Sequence, residues 1–357
     1  MLHSTTTRHR ILLAGFLIFG CAVLTTAQPD EENRVGVGAS IVPAKATPGA
    51  EVMLNLKLNL ADGAHANSNE ITDPNLIPTV FLPKQAAGLT WGQPKYPQPT
   101  HVNEWYSTDP LSVYEDGAEI TVPLIVEKTA TPGPLTVEGS LRIQVCDSEK
   151  CYPVRRVPVK ASLLVVGEVP PTTNASASMP QEQKSDPANS IVKTHSTGKE
   201  LPTKISGIDF AFVDFSGKER KLSEFRGKFV LLDFWATWCK PCLADIPKLK
   251  VLYEKYKANG FEIIGMDTET IGDEAEAPDP VFVKERFEQA KKIVSTRGVT
   301  WTQATNETAV PVAMKVFGVK ALPTKILIDR DGKIIATIGE KDDLTGIVEK
   351  LVNPNKQ

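Results

Sequence analysis

Phe229-Val230-Leu231-Leu232-Asp233-Phe234-Trp235-Ala236-Thr237-Trp238-Cys239-Lys240-Pro241-Cys242 decides the reading of the C-terminal half. The apolar run Phe229–Trp235 has the length and composition of a strand buried on both faces. From Leu243 the apolar residues shift to helical spacing, at Leu243, Ile246, Leu249, Leu252, Tyr253 and Tyr256. Asn259-Gly260 then signals the helix end. Cys239 is therefore expected where a strand gives way to a helix N-terminus. Free backbone N–H groups and the helix dipole favour a thiolate there. An ordinary thiol, of pKa about 8.5, is only a few per cent ionised at pH 7. One lowered to about 7 is half ionised.

Further along, Phe261–Met266 reads as a second buried strand. Asp267–Pro280 is acidic and reads as an irregular surface insertion, and Val281–Arg297 as a charged helix. Lys325–Ile328 and Ile334–Ile338 flank the turn signal Asp329-Arg330-Asp331-Gly332, and Leu344–Leu351 reads as a terminal helix. A short hairpin over Phe210–Phe215 and Ser216-Gly217 precedes the Phe229 strand. The α/β unit spans 204–354.

Residues 35–166 carry a different period. Val52, Leu54, Leu56, Leu58 and Leu60 alternate with polar residues, as do Ile120–Val126, Leu135–Val145 and Val157–Val165. Pro48-Gly49, Asp62-Gly63, Asp116-Gly117 and Pro132-Gly133 supply turns. An antiparallel sandwich of immunoglobulin type is the expected fold. Between the two units, 167–203 is rich in Pro, Ser, Thr, Asn, Gln and Lys, a flexible linker. Its r.m.s. span of roughly 30–35 Å lets the flanking units touch.

At the start, Arg8, His9 and Arg10 precede the uncharged apolar run Ile11–Leu24 and small residues up to Ala27. Residues 1–27 read as an export signal, which places the mature chain in an oxidising, extracytoplasmic compartment. Ile18-Phe19-Gly20-Cys21 partly matches a lipoprotein cleavage box, so lipidation of Cys21 and an uncleaved anchor stand as alternatives. With 40 basic and 43 acidic residues, the net charge of −3 gives no support for a nucleic-acid partner.

Four of the five cysteines form two close pairs. Cys239/Cys242 suits dithiol chemistry: Cys239 attacks a disulfide and Cys242 resolves the mixed disulfide. A zinc site needs four ligands, and all five histidines (3, 9, 65, 101 and 195) lie outside this unit. No metal or cofactor is expected. Cys146-Asp-Ser-Glu-Lys-Cys151 sits between alternating strands. It reads as a structural staple of an exported β domain or as an exposed, reducible pair, since so short a loop gives little entropic stabilisation.

The stretch Phe234–Cys242 resembles the active site of the thioredoxin superfamily, and the insertion resembles its TlpA/ResA branch. Val319-Lys320-Ala321-Leu322-Pro323-Thr324 matches that family's cis-proline loop. The resemblance implies that Pro323 faces the cysteines. It also implies that Asp233 takes a proton from the resolving thiol, and that Trp238, Lys240, Pro241 and Leu322 contact substrate. On the sequence alone Asp233 is a carboxylate in an apolar strand, costly to bury unless neutral or functional. Residues 36–165 resemble the N-terminal domain of the disulfide reductase DsbD. The matching residues are Gly63-Ala64-His65, Leu89–Pro97, Val113-Tyr114-Glu115-Asp116, and Gln144-Val145-Cys146 with Cys151-Tyr152-Pro153. That resemblance implies a working Cys146/Cys151 dithiol under an aromatic cap, placed here at Trp105 and Tyr106.

DsbD carries a multi-helix membrane domain between its modules, which the polar linker replaces here. The chain therefore cannot itself carry electrons across a membrane: either a separate membrane electron transporter supplies them, or the β domain is mainly a docking module. Disulfide-containing client proteins are the expected partners. The direction of flow stays open, with Asp233 leaning towards reduction. Disulfide isomerisation and cytochrome c maturation are the processes such a reductase serves. The alternative is an oxidoreductase whose β domain is a non-redox client-binding module. A thiol peroxidase is disfavoured, because the nucleophile lies in Cys-X-X-Cys without a Thr/Arg peroxide pocket.

Overall fold

A computed structural model describes residues 34–71, 73–167, 207–272, 280–339 and 341–353. The expected export signal and nearly all of the expected linker lie outside the described residues.

The N-terminal part is all-β. One sheet orders Val35–Val42, Glu51–Leu60, Glu119–Val126 and Leu89–Trp91, and a second orders Lys45–Ala46, Arg155–Val165, Gly133–Ile143 and Val80–Pro83. The alternation read from sequence is the pattern of burial. Val52, Leu54, Leu56, Leu58 and Leu60 all face the core, where they meet Val122 and Leu124 of the next strand and Val137, Leu141 and Leu163 from the opposite sheet. One face of each strand is thereby removed from water, and this sets the register. A third sheet, Val145–Cys146, His65–Asn67, Leu111–Tyr114 and Thr100–Val102, stands at one end and carries the cysteine loop.

The C-terminal part is built on five strands in the order Thr302–Ala304, Phe261–Asp267, Phe229–Trp235, Thr324–Ile328 and Ile334–Ile338. The first three are parallel and the last two antiparallel. Six of the seven residues of Phe229–Trp235 are buried, as a central strand covered on both faces requires. Helices α1 (Lys240–Tyr256), α2 (Pro280–Thr296), α3 (Asn306–Lys315) and α4 (Leu344–Val352) complete it. This is the thioredoxin arrangement. α1 runs into a short 3-10 turn, Lys257–Asn259, and stops at Gly260, whose φ of +84° is the left-handed conformation that glycine adopts at no steric cost.

One expectation fails here, and one element is unanticipated. Asp267 is the last residue of a strand, not the start of a surface insertion, and Asp267, Thr268 and Glu269 are all buried. Helix α3 has no counterpart in the sequence reading; it carries Pro311 within it. Among the described residues, no helix is long and apolar enough to cross a membrane.

Candidate active site

Cys239 is the N-cap of α1, with Pro241 in the first turn, where a missing N–H costs nothing. The Cys242 amide donates to Cys239 Sγ at 3.2 Å. The sulfur thus takes the place of a capping side-chain oxygen and receives the positive end of the helix. Cys239 and Cys242 form a disulfide and are 0% and 3% exposed.

The loop before Cys239 is clamped from beneath. Glu269 accepts from the Thr237 amide and, at 2.9 Å, from the Thr237 hydroxyl, while Trp238 Nε1 donates to the Glu269 carbonyl at 2.9 Å. Burial pushes the Glu269 carboxyl upward, and burial together with the Glu269 charge pushes Asp267 up strongly. Both oxygens of the Asp267 carboxylate are buried without a hydrogen-bond partner, which a protonated acid tolerates better than an anion. The Arg286 guanidinium offsets part of the cost at Glu269 and donates to Thr237 Oγ1 at 3.2 Å.

Asp233 lies in the middle of the central strand, opposite Lys325, and is 6% exposed. Lys325 Nζ stands 4.0 Å from Asp233 and 2.7 Å from Asp245. Burial raises the Asp233 carboxyl to about 6; Lys325 opposes that rise and Asp245 adds to it. One lysine therefore serves two carboxylates, the nearer of which is not Asp233.

Cys146 and Cys151 form the second disulfide. Contrary to the exposed loop expected from sequence, they are 3% and 1% exposed. Two coverings account for this. Trp105 Nε1 donates to the Ser148 carbonyl at 2.8 Å and the Tyr106 hydroxyl to the Asp147 carbonyl at 3.2 Å, so the aromatic pair is fastened to the cysteine loop itself. Trp105 is half-exposed and Tyr106 buried. The second covering is the thioredoxin unit. Cys151 N–H donates to the Leu322 carbonyl at 2.7 Å, and Leu322 N–H to the Cys151 carbonyl at 2.9 Å. Leu322 precedes Pro323 across a cis peptide bond. The Cys151 backbone thus forms an added antiparallel partner of the cis-proline loop, the way an extended peptide joins a strand edge.

Charge and shape complete the contact. Lys240, inside the Cys-X-X-Cys motif, pairs with Asp73. Arg286 donates to the Asn75 carbonyl at 3.2 Å, and Gln289 to the Asn75 side chain. Lys248 Nζ sits 4.9 Å over the Trp105 ring, and Lys341 pairs with Glu149 at 3.0 Å. A Cβ at Gly272 would meet Pro153 at 2.2 Å, so only glycine fits there, at a φ of +81°. Ile77, Cys146, Cys151 and Val154 belong to the same continuous apolar cluster as Trp238, Cys239 and Cys242.

The structure therefore gathers Cys239, Cys242, Trp238, Lys240, Leu322, Cys146, Cys151, Trp105 and Tyr106 around one contact, with Pro241 and Pro323 their neighbours in the chain. Asp233 lies in the central strand, joined through Lys325 to Asp245 of α1. Sequence reading missed Thr237, Asp245, Glu269, Arg286 and Lys325. Asp245 and Lys325 stand as single charges at helix and strand positions otherwise apolar, a signal of the kind used for Asp233. Among the described residues, no group of three His, Cys, Asp or Glu side chains is placed to hold a metal ion.

Two family models match the chain: Redoxin over residues 197–352, and the N-terminal domain of the thiol:disulfide interchange protein DsbD over residues 36–162. The thiol-disulfide oxidoreductase ResA of Bacillus thuringiensis is 37% identical over 157 residues, covering 43% of this chain and 78% of the relative. ResA of Geobacillus thermodenitrificans is 32% identical over 146 residues, covering 40% and 74%. The thioredoxin domain of a thiol-disulfide oxidoreductase from Bacteroides vulgatus superposes with a TM-score of 0.35 at 29% identity, over 43% of this chain and all of that one. The chain belongs to the ResA-type thiol-disulfide oxidoreductases of the thioredoxin superfamily, and carries ahead of that unit a domain of the DsbD N-terminal family.

Proposed function

We propose that the chain is an extracytoplasmic thiol-disulfide reductase with two redox centres, Cys239/Cys242 and Cys146/Cys151, which exchange electrons within one molecule. The observation that carries this reading is the pair of main-chain hydrogen bonds between Cys151 and Leu322. They present one disulfide to the other as a substrate peptide is presented. In this reading the Cys239 thiolate attacks Cys151, Cys146 leaves, and Cys242 resolves the interdomain disulfide. Asp233 takes the Cys242 proton. Trp105 and Tyr106 cap the N-terminal centre when the two units part. The segment 167–203 tethers them at an effective concentration near millimolar, so repeated encounters need no added affinity. The reading of residues 1–27 as an export signal supports the extracytoplasmic setting. Electrons reach Cys239/Cys242 from a membrane transporter and leave to disulfide-containing client proteins, as in disulfide isomerisation or cytochrome c maturation.

The two potentials test this. In full-length chains keeping one pair each, titration with glutathione is expected to place Cys239/Cys242 at least about 30 mV more negative than Cys146/Cys151, a tenfold bias for forward transfer. A Cys146–Cys151 bridge that thioredoxin-strength reductants fail to open would instead make the β domain a non-redox module that recruits clients.

A further inference from the structure

The lateral row that joins the two units begins at a histidine. Cys146 lies directly opposite His65 in the antiparallel pairing of Val145–Cys146 with His65–Asn67. Cys146 is bridged in turn to Cys151, and Cys151 to Leu322. Directly opposed residues of antiparallel strands present their side chains on one face, with Cβ atoms about 4.5–5.5 Å apart. The imidazole of His65 therefore shares a face with the Cys146 sulfur. His65 is 6% exposed, and its Nε2 is buried without a hydrogen-bond partner. An unbonded ring nitrogen beside a disulfide is available to a thiol once that disulfide opens.

Burial, against the surrounding charge, keeps the ring in its basic form. Burial lowers its proton affinity, and the charges of Asp147 and Glu115 oppose this without overcoming it. Both carboxylates are themselves engaged. Asp147 accepts from the Tyr152 hydroxyl at 3.0 Å and faces Arg34 at 3.7 Å, and Glu115 accepts from the Thr100 hydroxyl at 3.3 Å.

We infer that His65 is the proton acceptor of the Cys146/Cys151 centre, a role resting on the redox reading of that pair. As Cys146 attacks Cys151 in the Cys239–Cys151 disulfide, neutral His65 takes the Cys146 proton. The Cys146–Cys151 bond forms, the Cys151–Cys239 bond breaks, and the electron pair leaves on Cys239 as thiolate. The reverse step returns the proton from the imidazolium to Cys146. The number of disulfides is unchanged, so no outside oxidant enters.

Full-length chain with Cys239→Ser and Cys242→Ser, reduced and treated with iodoacetamide, isolates the effect at Cys146. Peptide mass spectrometry reads that site alone. His65→Gln is expected to slow alkylation of Cys146 about tenfold at pH 7, with the two rates converging above pH 9, where the thiol ionises unaided. A loss independent of pH is a structural effect and overturns the assignment, as do rates within twofold at pH 7. A second measurement needs no substitution at His65: reduction of Cys146–Cys151 in the native chain is expected to move the His65 ring 15N resonances and its titration midpoint. Resonances unmoved by reduction overturn it as well. The relay is read separately, from the Cys239–Cys151 disulfide in a Cys146→Ser/Cys242→Ser chain, which lacks both resolving thiols. Its absence beside an intact pH effect removes the interdomain step and leaves His65 with its thiol.

Discussion

Asp233→Asn is expected to stabilise the thioredoxin-like unit by about 2–3 kcal/mol at pH 8 and to leave it unchanged at pH 4. The Asp233 carboxyl is raised by burial from 3.8 to about 6. Its folded value thus lies above its unfolded one. Between about pH 4 and 6 the folded chain binds the extra proton, so stability falls as pH rises through that window. Above it the full cost of an ionised, buried carboxylate is present, about 3 kcal/mol. Lys325 does not cancel that cost, because it stands 4.0 Å away and is held at 2.7 Å by Asp245. Asparagine keeps the shape and removes the charge. The same substitution is expected to slow thiol exchange about tenfold or more below pH 8, the result required if Asp233 accepts the proton of the resolving thiol as proposed. Amide exchange of Phe229–Trp235 in the full chain reads the first effect, and stopped-flow reduction of a model disulfide the second. A gain in stability with no loss of rate would remove Asp233 from the proton path.

Cys239→Ser is expected to lower both client reduction and interdomain transfer by at least about a thousandfold. The hydroxyl keeps the N-cap, because serine is among the preferred residues there, so the fold of α1 is retained. What is lost is the nucleophile. The Cys242 amide at 3.2 Å and the helix N-terminus favour a thiolate at this position, whereas a serine hydroxyl has no adjacent base to activate it. Insulin turbidity and peptide mass spectrometry check the two losses. Residual transfer within a factor of ten would move the nucleophile elsewhere.

Much of this architecture is local information. Phe229–Trp235 is a strand at the residues its apolar run marks out, and α1 begins where the apolar spacing changes. The alternation of Val52–Leu60 is its burial pattern. These succeed because a buried face imposes its period on the chain directly. Glu269 fails for the opposite reason. Its neighbours in sequence are acidic and polar, and its burial is decided by Thr237, 32 residues away. Helix α3 is obscured by Pro311 within it. The cysteine loop 146–151 looks exposed because its coverings come from Trp105 and Tyr106 and from the cis-proline loop, none of them nearby in sequence. His65 shares a row with Cys146 only through strand topology. The chemistry at Cys239 is thus legible from its own stretch, whereas the contact that brings the two cysteine pairs together is tertiary.

The central claim is that the two centres react with one another. In a Cys146→Ser/Cys242→Ser chain, each centre keeps one sulfur, and the docked geometry sets Cys151 against the loop beside Cys239. Mild oxidation followed by peptide mass spectrometry is expected to find Cys151 and Cys239 joined as the dominant disulfide, within single molecules. Cys151 and Cys239 left as free thiols, or joined only between molecules, would contradict the account.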